Sequence, residues 1–305
     1  MTTPSVPFFK LIATHRLSMN SSIPRTRSLL PRLLTTALLC LAACAAVRAQ
    51  GQTPTPTPDE GEPDFIVPAR PTASNPAEFQ RPGVLQLEYG FNGNWRAPGG
   101  ASEVDTPLAL RFAVSRRLLL EFDGDTPLSQ SSGGTRTTGE GDTQLGVQAV
   151  LHHETKTRPG VALAYYVKLP TASAAEGLGT GRVDHFLIAL VSKNVSKTTV
   201  DFNAIYLLAG RTTDAGHASS AQAALAASRN VTKRFGVQGE LSGFTRNDAQ
   251  PGAMFTLGVV TYQVNRRLVF DAGVRAGLTP EAPRVGAVAG LTVGVADLYK
   301  HRRKR

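Results

Sequence analysis

The stretch VDHFLIALVSKNVSKTTVDFNAIYLLAG, residues 183–210, sets the pattern that recurs along most of the chain. Val200, Phe202, Ala204, Tyr206 and Leu208 fall on one side of an extended run, with Asp201 and Asn203 on the other. Alternation at period two marks a strand with one apolar and one polar face. A polar turn at Lys193–Lys197 joins this run to the one before it. Each run has about ten residues, the length a tilted strand needs to cross a bilayer. In the same way Val161, Leu163, Tyr165, Val167 and Leu169 oppose Ala162, Ala164, Tyr166 and Lys168, and Leu268, Phe270, Ala272 and Val274 oppose Val269, Asp271 and Arg275.

Followed along the chain, the pattern predicts twelve strands, near 83–92, 106–115, 117–124, 142–153, 160–169, 183–193, 197–209, 219–229, 234–246, 253–264, 267–278 and 284–298. The joins between them sort by parity. Even-to-odd joins are short and basic, as at Ser115–Arg117, Lys193–Lys197, Arg229–Arg234 and Val264–Arg267. Odd-to-even joins are mostly longer and rich in Gly, Ser, Thr or Pro, as in Gly124–Gly141, Pro170–Arg182 and Gly210–Ala218, with Arg246–Gly252 and Thr279–Pro283 the shorter members. An up-and-down barrel puts each class of join at its own end, and short periplasmic turns opposite longer external loops are the known asymmetry of transmembrane barrels. A soluble sandwich has no reason to sort its loops this way. The expected fold is all-β: an up-and-down antiparallel transmembrane β-barrel of about twelve strands spanning 83–299, followed by a basic tail at 300–305.

The segments before the barrel differ in kind. Residues 1–49 read as an export signal, with Arg25, Arg27 and Arg32 ahead of an apolar core at Leu33–Val47 and a cleavage site at Val47-Arg48-Ala49. Met19 is an alternative start, and Leu41-Ala42-Ala43-Cys44 is a competing lipidation box. Both readings send the chain out of the cytoplasm by the export machinery. Residues 50–82 contain TPTPTPDEGEPD, a composition that buries no core, so this stretch is expected as a disordered linker or a plug segment at the barrel mouth.

Composition narrows the classes. After residue 50 no apolar block reaches the ~18 residues that a membrane helix needs. Both cysteines, Cys40 and Cys44, lie in the N-terminal apolar block, so the barrel has no disulfide. The formal charge of +10 falls to +4 once the six Lys/Arg of residues 1–49, which hold no acid, are set aside. Five of the remaining positives are in KHRRKR at the C-terminus. No basic face for nucleic acid is evident.

Segments from residue 81 onward resemble a known family. Arg81-Pro82-Gly83 with Gln86-Leu87-Glu88-Tyr89-Gly90 is one such segment, and Gly139-Glu140-Gly141-Asp142-Thr143-Gln144-Leu145-Gly146 is another. Tyr166-Val167-Lys168-Leu169-Pro170-Thr171 with Leu178-Gly179-Thr180-Gly181 completes the set. Together, over residues 80–298, they resemble the meta-pathway of phenol degradation family of outer-membrane barrels, many of which are regarded as transporters. The resemblance implies a bacterial outer-membrane barrel passing small hydrophobic or aromatic solutes, with no catalytic residue to carry over. Outer-membrane barrels usually end on a terminal Phe or Trp that the barrel assembly machinery reads. Here the last strand ends at Tyr299 and KHRRKR follows.

If the apolar faces meet lipid, the opposite faces line the interior. The lumen candidates are Glu88, Arg111, Glu121, Asp123, Gln148, Lys168, Asp201, Asn203, Gln238, Glu240, Asp271 and Arg275. They are expected either to set solute selectivity or to form a cross-linked polar plug. Tyr89, Phe91, Phe112, Phe122, Tyr165, Phe202, Tyr206, Phe255 and Phe270 are expected outside, as an aromatic girdle. Glu121, Asp123 and Asp125 do not match a calcium loop, and no zinc spacing, phosphate loop or nucleophile elbow occurs. Gly139–Gly141 precedes no helix, so no dinucleotide site is expected. His152, His153 and His185 raise the idea of a barrel lipase using Ser192 and Asn194. Ser192 lies seven residues beyond His185, over ~20 Å along a strand, so no enzyme is expected.

Overall fold

The computed structural model describes residues 64–247 and 251–299; the export signal expected at 1–49, the first part (50–63) of the stretch expected as a linker at 50–82, and the tail at 300–305 lie outside them. Thirteen strands form one antiparallel sheet. They are β1 (Val84–Trp95), β2 (Ser102–Ala113), β3 (Leu118–Ser132), β4 (Thr135–Gly139), β5 (Thr143–His152), β6 (Gly160–Leu169), β7 (Asp184–Val195), β8 (Thr198–Gly210), β9 (His217–Asn230), β10 (Phe235–Phe244), β11 (Ala253–Asn265), β12 (Leu268–Gly277) and β13 (Val285–Asp297). Neighbours in sequence pair in space, except that β5 pairs with β3 past β4, and β13 returns to β1 in a register running from Val84↔Asp297 to Trp95↔Val285. The ring therefore closes on twelve strands, every one with a partner on both sides. That is the requirement for sheet in hydrocarbon, where an unpaired backbone N–H or C=O costs several kcal/mol.

β4 is the extra strand. The expected loop Gly124–Gly141 is instead the upper half of β3 followed by a hairpin, with β4 pairing only to Leu128–Ser132. Gly133 and Gly134 make the turn at φ +58° and +83°, a left-handed backbone that glycine adopts freely. This side of the wall thus stands taller than the rest.

The period-two pattern sorts side chains as the barrel requires. On β8, Phe202 and Tyr206 face outward and are exposed, while Asp201, Asn203, Ile205 and Leu207 face inward and are buried. Tyr89, Phe122, Tyr165 and Phe270 are likewise exposed on the outer face. Phe255 is the exception to the expected girdle. It is buried inside, where it packs on Phe244, Ala253 and Ala282. On β11 the inner row Ala253, Phe255, Leu257 and Val259 is more apolar than the outer row Met254, Thr256, Gly258 and Val260, which inverts the usual contrast.

The largest departure concerns the stretch expected as a disordered linker, with a plug segment at the barrel mouth as the other reading. Residues 64–82 are not a disordered arm. They form a loop inside the barrel, with Phe65, Ile66, Ala69, Arg70, Asn75, Ala77, Phe79 and Gln80 buried. Phe65 and Ile66 pack on Val84 near the short-turn end, and Ala73 packs among Phe244, Ala253 and Ala282 near the long-loop end. Phe79 then returns to Ala113, Leu119 and Val150 at the short-turn end. The Arg81 N–H donates to the Asp64 carbonyl at 2.9 Å and closes the base of the loop. This segment, DFIVPARPTASNPAEFQRP, carries apolar anchors that the acidic Thr-Pro repeat before it lacks.

Candidate functional site: the lumen and its loop

The inner wall holds the loop by receiving its backbone groups on side chains. Gln86 brackets Val67, its Oε1 accepting from Val67 N–H at 2.9 Å and its Nε2 donating to Val67 O at 2.8 Å. Glu88 accepts from Ala69 N–H at 2.8 Å, and Glu240 from Ser74 N–H at 2.9 Å. Asn203 pairs with the backbone of Asn75 in both directions, at 2.7 and 2.8 Å. Ser192 Oγ accepts from Ala77 N–H at 2.8 Å and donates to Asp201 at 2.5 Å. Gln148 donates to Pro76 O and Ala77 O, and Arg111 donates to Val67 O at 3.0 Å. A loop in a low-dielectric interior needs such partners, since an unmet backbone group there costs ~1–3 kcal/mol.

One ion pair fixes the loop's middle. Arg70 Nε lies 3.2 Å from Asp271 Oδ2, and its Nη2 donates to Ala289 O at 3.1 Å. The guanidinium lies over Gly90 and Gly290, which face each other across β1 and β13. A Cβ on either glycine would fall within the guanidinium, so the wall is notched to admit it. Both partners are nearly inaccessible to solvent, which makes the pair sensitive to loss of either member.

All twelve lumen candidates lie on the inner face. Arg111 sits between Glu121, at 3.1 Å, and Glu88, at 3.6 Å, and Tyr166 donates its hydroxyl to Glu121. Asp123 is buried on the same side. Arg275 donates to Asn94 Oδ1 at 3.2 Å, and Gln238 is half-buried. Beside Arg275, Asn92 and the loop residues Arg70–Ala73 a void of ≈ 20 Å³ remains, room for about one water. Sequence reasoning missed Gln86, Asp142, Asp184 and Ser192. Their parity with Glu88, Gln144, Phe186 and Leu190 was the available signal.

The wall is not polar throughout. Phe186, Ile188 and Leu190 of β7 join Ile205 and Leu207 of β8 and Ala162, Ala164 and Tyr166 of β6 in an inner apolar panel that packs against Ala77. Leu257, Val259 and Val288 form a second panel across the lumen.

The segments that carry the family resemblance meet at one node. Lys168 Nζ, fully buried, lies 2.9 Å from Asp142, 2.8 Å from Asp184 and 3.1 Å from Thr180 Oγ1. Asp142 also accepts from Ala172 N–H, and Thr171 Oγ1 accepts from Thr143 N–H. These contacts fold residues 170–183 inward, where Leu178 and Ala172 pack on Leu128. A Cβ at Gly179 would come within 2.8 Å of Ala172 and 3.0 Å of Asp142, so the close approach requires glycine.

The lipase arrangement does not form. Ser192 points into the lumen, whereas His185 is on the outer face, stacked on Tyr165 with its Nδ1 2.7 Å from the phenol oxygen. His153 lies 3.4 Å from Glu78, and His152 is near Pro159 O. Among the described residues no group of three His, Cys, Asp or Glu side chains is placed to hold a metal ion.

A known channel shares this architecture. The COG4313 outer membrane channel from Pseudomonas putida F1 superposes with a TM-score of 0.56 at 15% identity, covering 75% of this chain and 99% of that one. The NanC porin superposes with a TM-score of 0.47 at 10% identity, covering 69% of this chain and 98% of that one. No curated protein matches the chain. The family described as "Putative MetA-pathway of phenol degradation" matches residues 69–293, a span that begins inside the luminal loop and includes the Lys168 node, and the chain belongs to that family.

Proposed function

We propose that the protein is a passive channel of the bacterial outer membrane for small solutes, hydrophobic or aromatic ones foremost, with the loop at 64–81 as its stopper. The observation that carries this reading is the make-up of the lumen. The apolar panels of β6–β8, which pack on Ala77 of the loop, and of β11 and β13 face the lumen rather than lipid. Once the loop withdraws, they offer a greasy track beside a charged one. Local charge along the track, from Glu88, Arg111, Glu240 and Arg275, discriminates among solutes.

A closed structural barrel is the second reading, favoured by how little space remains around the loop tip. Liposome swelling separates the two. Vesicles carrying the full chain, and vesicles carrying a variant with residues 65–80 replaced by a short Gly-Ser link, are challenged with a solute panel that includes aromatic compounds. The channel reading expects entry of aromatic solutes, faster in the linked variant. Barrels that insert and show heat-modifiable gel mobility, yet admit no solute with or without the loop, would end it.

A further inference from the structure

The two ends of the barrel differ in charge, and the difference has a spatial order. Every short turn carries exposed cations. Arg116 and Arg117 lie between β2 and β3, Lys156 and Arg158 between β5 and β6, and Lys197 between β7 and β8. Lys233 and Arg234 lie between β9 and β10, and Arg266 between β11 and β12. Three carboxylates at this end are engaged, while Asp64 at the base of the luminal loop is exposed. Glu154 takes Lys193 at 3.0 Å and Asn194, Asp297 takes Arg81 at 2.5 Å, and Glu78 faces His153. At the long-loop end the signs are mixed, as in Arg211 with Asp214 at 3.6 Å, or Glu281 near Arg284 in sequence.

Directly next to the cations, on the outer face, runs a band of exposed apolar side chains. Leu118, Leu151, Val195, Phe235 and Leu298 belong to it. Two aromatic pairs sit in the same band, Phe112 with Tyr299 at 6.3 Å and Phe235 with Tyr262 at 4.8 Å. Aromatic side chains of this kind mark the boundary between hydrocarbon and headgroups. At about 3.3 Å per residue, a cation one or two residues farther along stands at phosphate level, and the flexible stems of Lys and Arg let it adjust there.

The geometry points to a ring of binding positions for anionic phospholipid headgroups of the inner leaflet, spread over five turns. A net-negative headgroup meets these cations without a competing ammonium of its own, which a zwitterionic headgroup carries. Each cation near a membrane surface makes a separate favourable contribution, and these fall away as salt screens them. The assignment depends on the barrel sitting in a bilayer and not on what passes through its lumen.

The test uses the full chain reconstituted in nanodiscs with equal parts phosphatidylglycerol and phosphatidylcholine. The lipids that stay bound are then counted by native mass spectrometry, and heat-modifiable mobility checks folding. Wild-type protein is expected to retain phosphatidylglycerol in excess, and molar salt should erase the excess. Pairing Lys197→Gln with Lys233→Gln, or Arg116→Gln with Arg266→Gln, should cut the enrichment about fivefold for each cation removed. Arg136→Gln with Arg284→Gln, at the other end, should leave it unchanged. Equal retention of both lipids by wild type would overturn the assignment. So would inner-turn variants that behave like the outer-end pair, which would leave the cations for an acidic protein surface instead.

Discussion

The wall of the barrel and the loop inside it are held by different means. The wall is a ladder of backbone hydrogen bonds between strands, closed at β1–β13, and it asks of its side chains only that they alternate. The loop has no ladder. Its backbone groups are met one by one by Gln86, Glu88, Asn203, Ser192 and Glu240, and its middle hangs on Arg70 and Asp271. Order in the wall is therefore generic and tolerant, while order in the loop is specified residue by residue. The loop is therefore the part whose removal leaves every strand-to-strand bond of the wall in place.

The sharpest way to break this contrast is to remove the loop. Replacing residues 65–80 with a Gly-Ser link is expected to leave strand content by circular dichroism and heat-modifiable mobility as they are, while single-channel conductance in a planar bilayer rises to its largest value. A barrel that no longer inserts would show that wall and loop are one unit. Arg70→Ala comes next. It leaves Asp271 buried without its partner and should weaken loop docking by ~3–5 kcal/mol, seen as hydrogen exchange in 65–80 that speeds up while strand amides stay protected. Gly290→Ala should mimic it by filling the notch.

The wall's tolerance has a limit that a third change probes. Leu163→Arg puts a charge on the lipid face of β6 and should cost ~2–4 kcal/mol of barrel stability if it sits near the bilayer midplane, measured by denaturant unfolding in lipid, with loop exchange unaltered. The smallest effect is expected from Asn203→Ala, which removes a two-way contact to Asn75. It should loosen the loop by ~1–3 kcal/mol and leave the unfolding midpoint of the barrel in place.

Much of the wall could be read from the sequence, because period two is written into every strand and turn chemistry separates the two ends. The pattern in Val161–Leu169 and Val200–Leu208 places each side chain on the face where it is found. Where an inner row is as apolar as an outer one, the pattern loses its direction. That is why Phe255, with Leu257 and Val259 beside it, reads as lipid-facing. The hairpin of β3 and β4 escaped because its paired strands are rich in Ser, Thr and Gly, a composition shared with loops. The luminal loop was hidden for a deeper reason. It is held through its own backbone atoms, which leave no trace in residue type, and Arg70 and Asp271 stand two hundred residues apart with no local signal linking them. The Lys168 node was visible as family motifs, but their meeting point emerges only from the register of β5, β6 and β7.

The hydrogen bond from Arg81 N–H to Asp64 O has a consequence for how such a molecule is built and emptied. Because the insert begins and ends at one mouth of the cylinder, it is a tongue and not a thread. A hairpin of this kind can enter or leave a closed cylinder without being threaded through the bore.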